Sequence, residues 1–120
     1  MVKLSSDATL VDHFTPYNQA ALESVDQDLG SGGTMLLPDQ PGDHPHLMVE
    51  TGKQGRIYLI DRDDMGGYRR CGPLCDDVVQ IVNNGITGVH STPAFFDNRV
   101  YYQGSGDVMK AFRAGSATNR

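Results

Sequence analysis

The sequence predicts an all-β chain built from short antiparallel strands. Three observations predict it. Glycine makes up 14 of the 120 residues, much of it in clusters such as Gly30-Ser31-Gly32-Gly33 and Gly66-Gly67, and glycine at that density favours turns over long helices. Between the clusters lie runs of three to six residues rich in β-branched and aromatic side chains. Finally, neither a long helical periodicity nor a βαβ alternation is present. A chain of this length makes one small domain with a modest core.

The elements follow in order. Residues 8–14 (Ala-Thr-Leu-Val-Asp-His-Phe) read as a strand that Pro16 ends, because proline fixes φ and donates no hydrogen bond. Residues 19–25 (Gln-Ala-Ala-Leu-Glu-Ser-Val) suit one or two helical turns. Residues 34–37 make a brief apolar strand, 38–45 a loop of Pro, Asp and Gly, and 46–50 a second strand. The run Arg-Ile-Tyr-Leu-Ile-Asp at 56–61 is the strongest strand signal. A loop over 62–76 leads to a strand at 77–82, and Asn83-Asn84-Gly85 marks a turn. Residues 94–96 and 99–102 flank the tight pair Asp97-Asn98, a hairpin signal. A last strand spans 108–113, and the small polar tail is expected to fray.

The chain also repeats itself. Residues 48–61 and 100–113 both read as strand, glycine-centred turn, strand, at an offset of 52 residues from Met48 to Val100. Upstream, Gly33-Thr34-Met35-Leu36-Leu37-Pro38 parallels Thr92-Pro93-Ala94-Phe95-Phe96-Asp97, at an offset of 59 residues from Gly33 to Thr92. The longer loop at 38–45 absorbs the difference. Val2-Lys3-Leu4 is matched to Leu59-Ile60-Asp61 one unit earlier, and 10–14 to 78–82. A unit of about 50 residues with four antiparallel strands has the size of a β-propeller blade. One such blade cannot bury both its faces, so it stacks on its neighbours. The strands at 57–60 and 109–112 are apolar on both sides, as that stacking requires. The fold expected is therefore a partial β-propeller, two to three blades of four-stranded antiparallel meanders. Residues 1–32 form the end of one blade with a connecting segment, 33–82 a complete blade, and 83–120 a partial following blade. A sandwich or barrel of hairpins is the competing arrangement.

Composition narrows the partners. The formal charge is −5, from 15 acidic and 10 basic residues, which argues against nucleic acid and anionic membrane. No apolar run reaches the roughly 20 residues of a membrane span. Met1-Val2-Lys3-Leu4-Ser5 lacks the apolar stretch of a signal peptide, so the chain is either cytosolic or short of its natural start.

The run Gly52-Lys53-Gln54-Gly55-Arg56-Ile57-Tyr58-Leu59-Ile60-Asp61-Arg62 resembles a blade of the quinoprotein (pyrroloquinoline-quinone) alcohol dehydrogenase-like propellers. Asp26-Gln27-Asp28-Leu29-Gly30 is similar to the D-x-D-x-G preceding such a blade, and Asp12-His13-Phe14-Thr15-Pro16 to the aromatic-Thr-Pro segment before that. The resemblance covers residues 2–113. It implies a protein of six to eight blades, periplasmic or extracellular, with pyrroloquinoline quinone and calcium as the family's cofactors. The departures bear on function. The chain has no Trp, whereas those enzymes lock their blades and floor their cofactor with Trp. Their catalytic Asp lies in a Gly-Asp-Asn-like stretch, but here the Gly-Asp pairs are Gly42-Asp43 and Gly106-Asp107, both in expected turns. Their adjacent-cysteine disulfide is replaced by Cys71 and Cys75, with three residues between them. The expectation is a non-catalytic scaffold or binding module with no cofactor of its own. The alternative is a piece of a quinone-dependent dehydrogenase whose catalytic residues lie outside this chain. Expected partners are missing blades or a second copy of the chain.

No other catalytic constellation stands out. Cys71-Gly-Pro-Leu-Cys75 has the wrong spacing for a zinc knuckle. It suits a small loop disulfide in an oxidising compartment and two unpaired thiols equally well. Asp26 and Asp28 are weak metal candidates, for which an Asx turn is the simpler reading. Asp61-Arg62-Asp63-Asp64-Met65-Gly66 opens like a calcium loop, but Met65 cannot ligate a hard cation and position twelve is Gly72, not Glu. His44-Pro45-His46 lacks further ligands, and His90-Ser91 suggests no triad. Lys53 and Arg56 flank a turn and read as solvated charge.

Overall fold

The computed structural model describes residues 1–72 and 74–114. It is all-β, with three small sheets. The first sheet contains β1 (Val2–Leu4) and β2 (Leu10–Thr15). A short helix, α1 (Gln19–Ser24), and a single 3₁₀ turn (Leu29–Ser31) connect it to the second. The second sheet contains β3 (Met35–Leu36), β4 (Leu47–Thr51), β5 (Ile57–Asp61) and β7 (Gln80–Val82). Between β5 and β7, β6 (Gly67–Tyr68) crosses back to lie beside β2. The third sheet contains β8 (Ala94–Phe96), β9 (Arg99–Gln103) and β10 (Met109–Arg113). No helix among the described residues is long and apolar enough to cross a membrane. The tail expected to fray lies, beyond Ala114, outside the described residues.

The sheets hold three, four and three strands. Only the second is a four-stranded antiparallel meander, in the order β3-β4-β5-β7. The first is not purely antiparallel, because β6 pairs with β2 in parallel at Phe14 and Thr15. The loop expected over 62–76 therefore contains a strand, which two residues including a glycine do not signal. Two glycines at positive φ, Gly66 and Gly67, let the chain turn there.

The repeat seen in the sequence is also a repeat of pairing. In the second sheet Met48 lies opposite Ile60 and Thr51 opposite Ile57. Shifted by the offset of 52, these become Val100 opposite Phe112 and Gln103 opposite Met109, the pairs found in the third sheet. Met35 opposite Val49 and Leu36 opposite Met48 become Ala94 opposite Tyr101 and Phe95 opposite Val100 once the first strand is shifted by 59. Thus β8, β9 and β10 are the counterparts of β3, β4 and β5. The Asp97-Asn98 connection has both residues at positive φ, which matches the right-handed twist of a tight hairpin.

The first sheet fits the same scheme with one correction. Lys3 lies opposite Asp12, as Leu59 lies opposite Gln80. Val2–Leu4 therefore correspond to Tyr58–Ile60 and not to residues 59–61. A slip of one residue turns every side chain to the other face of a strand, and sequence similarity over three residues cannot detect it. With this register, β1 and β2 are the counterparts of β5 and β7.

The second sheet is the middle layer, and alternation along its strands sends side chains to both neighbours. On one face Leu47, Val49 and Ile57 pack with Val100 and Tyr102 of the third sheet. On the other, Met48, Tyr58 and Ile60 pack with Phe14 of the first sheet and with Met65. All five residues of β4 are buried. Phe14 tilts against Tyr58 with ring centroids 5.1 Å apart, a favourable offset geometry.

Candidate functional site

Stacking of the sheets leaves buried polar groups in the middle layer. Glu50, on β4, is 2 % exposed. The Thr34 hydroxyl donates a short hydrogen bond to its Oε2, while Oε1 has no partner. Burial pushes the Glu50 carboxyl up to about 7, and the hydrogen bond from Thr34 only partly opposes this. The hydroxyls of Thr51 and Tyr102 are also buried without partners. Tyr102 is the repeat counterpart of Glu50, one sheet along. Its phenol is raised by burial and, to a lesser degree, by the charge of Glu50. The strand expected at 46–50 holds Glu50, but the sequence alone did not single this residue out. The signal was there: if a middle strand is covered on both faces, a charged residue within it has no solvent to reach.

A second polar cluster joins the first connection to the middle sheet. The Arg56 guanidinium lies 5.7 Å from the centre of the Tyr17 ring. The Tyr17 amide donates to Asp76 Oδ1 at 2.7 Å. The free oxygen of Asp76, Arg56 Nη1 and the Tyr58 hydroxyl are buried without partners. Burial raises both Asp76 and Tyr58. Arg56, read as solvated from the sequence, instead leans over an aromatic ring.

The residues weighed for metal chemistry are mostly engaged elsewhere. Lys53 Nζ stands 2.9 Å from Asp26 Oδ2 and 2.9 Å from Asp28 Oδ2. An ammonium thus sits where a cation between these carboxylates would sit, and it holds Asp28 below the usual carboxylate range. His44 Nδ1 is 2.7 Å from Asp61 Oδ2, and His46 Nδ1 is 2.6 Å from Asp63 Oδ2. These two pairs tie the segment leading into β4 to the end of β5 and the loop after it. Asp61 and Asp64 also accept backbone amides from Asp63 and Gly66, the hydrogen bonds of Asx turns. Among the described residues, no three His, Cys, Asp or Glu side chains gather as a metal would need. His90 and Ser91 are exposed. The Asp26–Asp28 pair is thus occupied by the Lys53 ammonium.

Cys71 and Cys75 are joined as a disulfide, with Cα atoms 5.7 Å apart. It closes a loop of sequence separation 4, and so short a loop removes little entropy from the unfolded chain. The double substitution Cys71→Ser, Cys75→Ser is expected to cost about 2 kcal/mol at most. Urea unfolding monitored by circular dichroism checks this. Collapse of the β signal would mean that the loop anchors the sheets.

Two grooves flank the middle sheet. One, of about 610 Å³, runs beside β1, with Leu36, Met48 and Met65 along its floor and Val2 and Lys3 on its wall. The other, of about 330 Å³, runs beside β10, over Leu59, Gln80 and Val82. Their position follows from the repeat. The first sheet, among the described residues, lacks counterparts of β3 and β4, and the third lacks a counterpart of β7. Each groove lies over the middle sheet, beside the outer strand of a three-stranded sheet.

Searches against protein-family models, curated proteins and solved structures find no match to this chain.

Proposed function

We propose that this chain is a section of a quinoprotein-like β-propeller that serves as a non-catalytic scaffold or binding module. The observation that carries the reading is the shared register: strand pairs in the third sheet reproduce those of the second at offsets of 52 and 59 residues. Repeat counterparts of neighbouring sheets also meet. Gly33 lies against Thr92, its own counterpart, so closely that a Cβ on Gly33 would strike the threonine side chain. Successive units related by one repeated operation bring like positions together in this way.

The outer face of the third sheet supports the same reading. It presents Ala94, Phe96, Tyr101, Met109 and Ala111, the counterparts of Met35, Leu37, Val49, Ile57 and Leu59, which the third sheet itself helps to cover. Yet Phe96 is 74 % exposed and Met109 65 %. A face of this composition calls for another sheet of the same kind. Further blades or a second copy of the chain are the partners we infer, with neither nucleic acid nor membrane among them. A periplasmic or extracellular setting accords with the Cys71–Cys75 disulfide.

Titration of the parent propeller that contains this section with pyrroloquinoline quinone in the presence of Ca²⁺ tests the non-catalytic reading. No saturable absorbance change and no alcohol- or sugar-dependent dye reduction are expected. Saturable binding with turnover would overturn the scaffold and favour the dehydrogenase alternative.

A further inference from the structure

We propose that Asn84 is a self-modification site, where the side-chain amide is lost to water through a ring closed by the Gly85 nitrogen, leaving aspartate or isoaspartate in the turn after β7. The site lies in the interior of the sequence, between the last strand of the second sheet and the first strand of the third.

Both reacting groups are accessible. Asn84 is exposed and stands at a φ of 52°, a left-handed conformation that asparagine adopts more readily than other residues with a Cβ. That conformation explains why asparagine occupies the turn, and the chemistry follows from the residue after it. Elsewhere the tight turns of this chain are closed by the amide that follows them. Gly55 N donates to the Gly52 carbonyl at 3.1 Å, Cys75 N to Gly72 at 3.0 Å and Asp107 N to Gly104 at 3.2 Å. Among the described residues no closing bond of comparable geometry falls on the Gly85 amide. Glycine also has no Cβ to shield its nitrogen or to restrict the rotation that ring closure needs. The other described asparagines are less favourably placed. After Asn18 the Gln19 amide donates to the Pro16 carbonyl at 3.0 Å. Asn98 precedes Arg99, which is paired across its hairpin with Phe96. Asn83 precedes Asn84, whose side chain shields its own nitrogen.

The step balances with water alone. Base from solvent takes the Gly85 amide proton, and the nitrogen attacks Asn84 Cγ. A carbon–nitrogen bond forms there as the side-chain carbon–nitrogen bond breaks, and ammonia leaves with the proton. Water then opens the five-membered imide. Attack at the side-chain carbonyl restores the main chain and leaves aspartate. Attack at the main-chain carbonyl leaves isoaspartate, whose main chain runs through the side chain and is longer by one carbon.

The two products differ in consequence. Aspartate adds one negative charge at an exposed position and leaves the backbone as it was. Isoaspartate lengthens the chain just before Ile86, which is 5 % exposed and packs in the core shared by the second and third sheets. The Ile86 amide donates to the Gly55 carbonyl at 3.4 Å, and the Val89 amide to the Gly52 carbonyl at 3.2 Å. Gly85 itself is close against β5 and β7, since a Cβ on it would lie 3.0 Å from Val82 and 3.1 Å from Ile57 side-chain atoms. An extra main-chain carbon has no slack to enter here, so the isoaspartyl form loosens the join between the two sheets.

The test ages the whole chain in neutral buffer and follows each asparagine by peptide mapping with mass spectrometry. A synthetic peptide of residues 80–88 supplies the rate without the fold. Asn84 is expected to convert within about tenfold of the peptide's rate, and ahead of Asn18, Asn83 and Asn98. Gly85→Ala is expected to slow conversion by about tenfold or more in the chain and in the peptide, where folding plays no part. Thermal unfolding of the separated products is expected to place Asn84→Asp and the aspartyl form with the fresh protein, and the isoaspartyl form below it. An Asn84 that stays intact while the peptide converts, or conversion equally fast in G85A, would overturn the site. An isoaspartyl form as stable as the fresh protein would overturn its coupling to the sheets.

Discussion

Replacing Glu50 by Gln is expected to make the protein more stable at neutral and alkaline pH, and to remove most of its dependence on pH between about 4.5 and 7. Glu50 is buried on β4 with one carboxylate oxygen unpartnered, and its folded-state value rises from 4.5 to about 7. A carboxyl raised on folding binds its proton more tightly in the native state. Its contribution is therefore fully present below the unfolded value and is lost as pH climbs through the folded one. A tenfold gain in proton affinity corresponds to about 1.4 kcal/mol, so ionising Glu50 in place costs on the order of 3 kcal/mol. Glutamine keeps an acceptor for the Thr34 hydroxyl and carries no charge to desolvate. Urea unfolding at pH 4.5, 6 and 8 measures the difference. The two proteins should agree within about 1 kcal/mol at the lowest pH, with E50Q ahead by on the order of 3 kcal/mol at the highest. Asp7, Asp28, Asp63 and Asp107 are lowered by their hydrogen bonds and act at lower pH. Asp76 is raised by burial and is common to both proteins. Parallel stability curves would show that Glu50 reaches solvent, and the covering of β4 on both faces would then be wrong.

Local signals in the sequence were sufficient for most of the elements, and the reason is visible in particular residues. The strand at 94–96 coincides with β8, because Asp97-Asn98 dictates a tight turn after it. Residues 19–25 contain α1, which proline and glycine bracket at Pro16 and Gly30. The repeat was legible because the glycine-centred turns at 52–55 and 104–107 punctuate both units alike. The faces of β1 were not legible: three residues carry too little pattern to fix a register, and the choice was settled by Lys3 pairing with Asp12. The polar sites were less legible still. Lys53 meets Asp26 and Asp28 across 27 and 25 residues, and Tyr17 meets Asp76 across 59. Such meetings are set by how one sheet lies on the next, which short-range patterning does not encode. Glu50 stands between these cases. Its strand was foreseen, and its burial follows once both neighbouring layers are in place.

Gly52→Ala is expected to cost on the order of 3 kcal/mol or more, while Gly104→Ala costs about 1–2 kcal/mol and Gly30→Ala little. Gly52 and Gly104 are counterparts in the repeat, and at both the preceding connection crosses close over the turn. At Gly52 the crossing is backbone on backbone. The Lys53 amide donates to the Asp28 carbonyl at 3.0 Å, and the Val89 amide donates to the Gly52 carbonyl at 3.2 Å. A methyl on Gly52 would fall on the Asp28 carbonyl oxygen and within 2.5 Å of Leu29 Cα. To admit it, the connection at 28–29 must lift off the middle sheet, breaking the Lys53–Asp28 hydrogen bond and opening the packing between layers. At Gly104 the nearest atoms belong to the side chains of Thr87 and Ile86, with the Thr87 carbonyl oxygen farther off at 2.9 Å. Side chains can turn aside where backbone cannot, hence the smaller cost. Gly30 has open space where its Cβ would go, so alanine there reports the general effect of losing a glycine. Thermal and urea unfolding of the three variants should rank them in that order. Equal stability of G52A and G30A would mean that residues 28 and 29 do not lie on the turn at 52–55. The connection between the first and second sheets would then run elsewhere, and the stacking order of the layers would have to be redrawn.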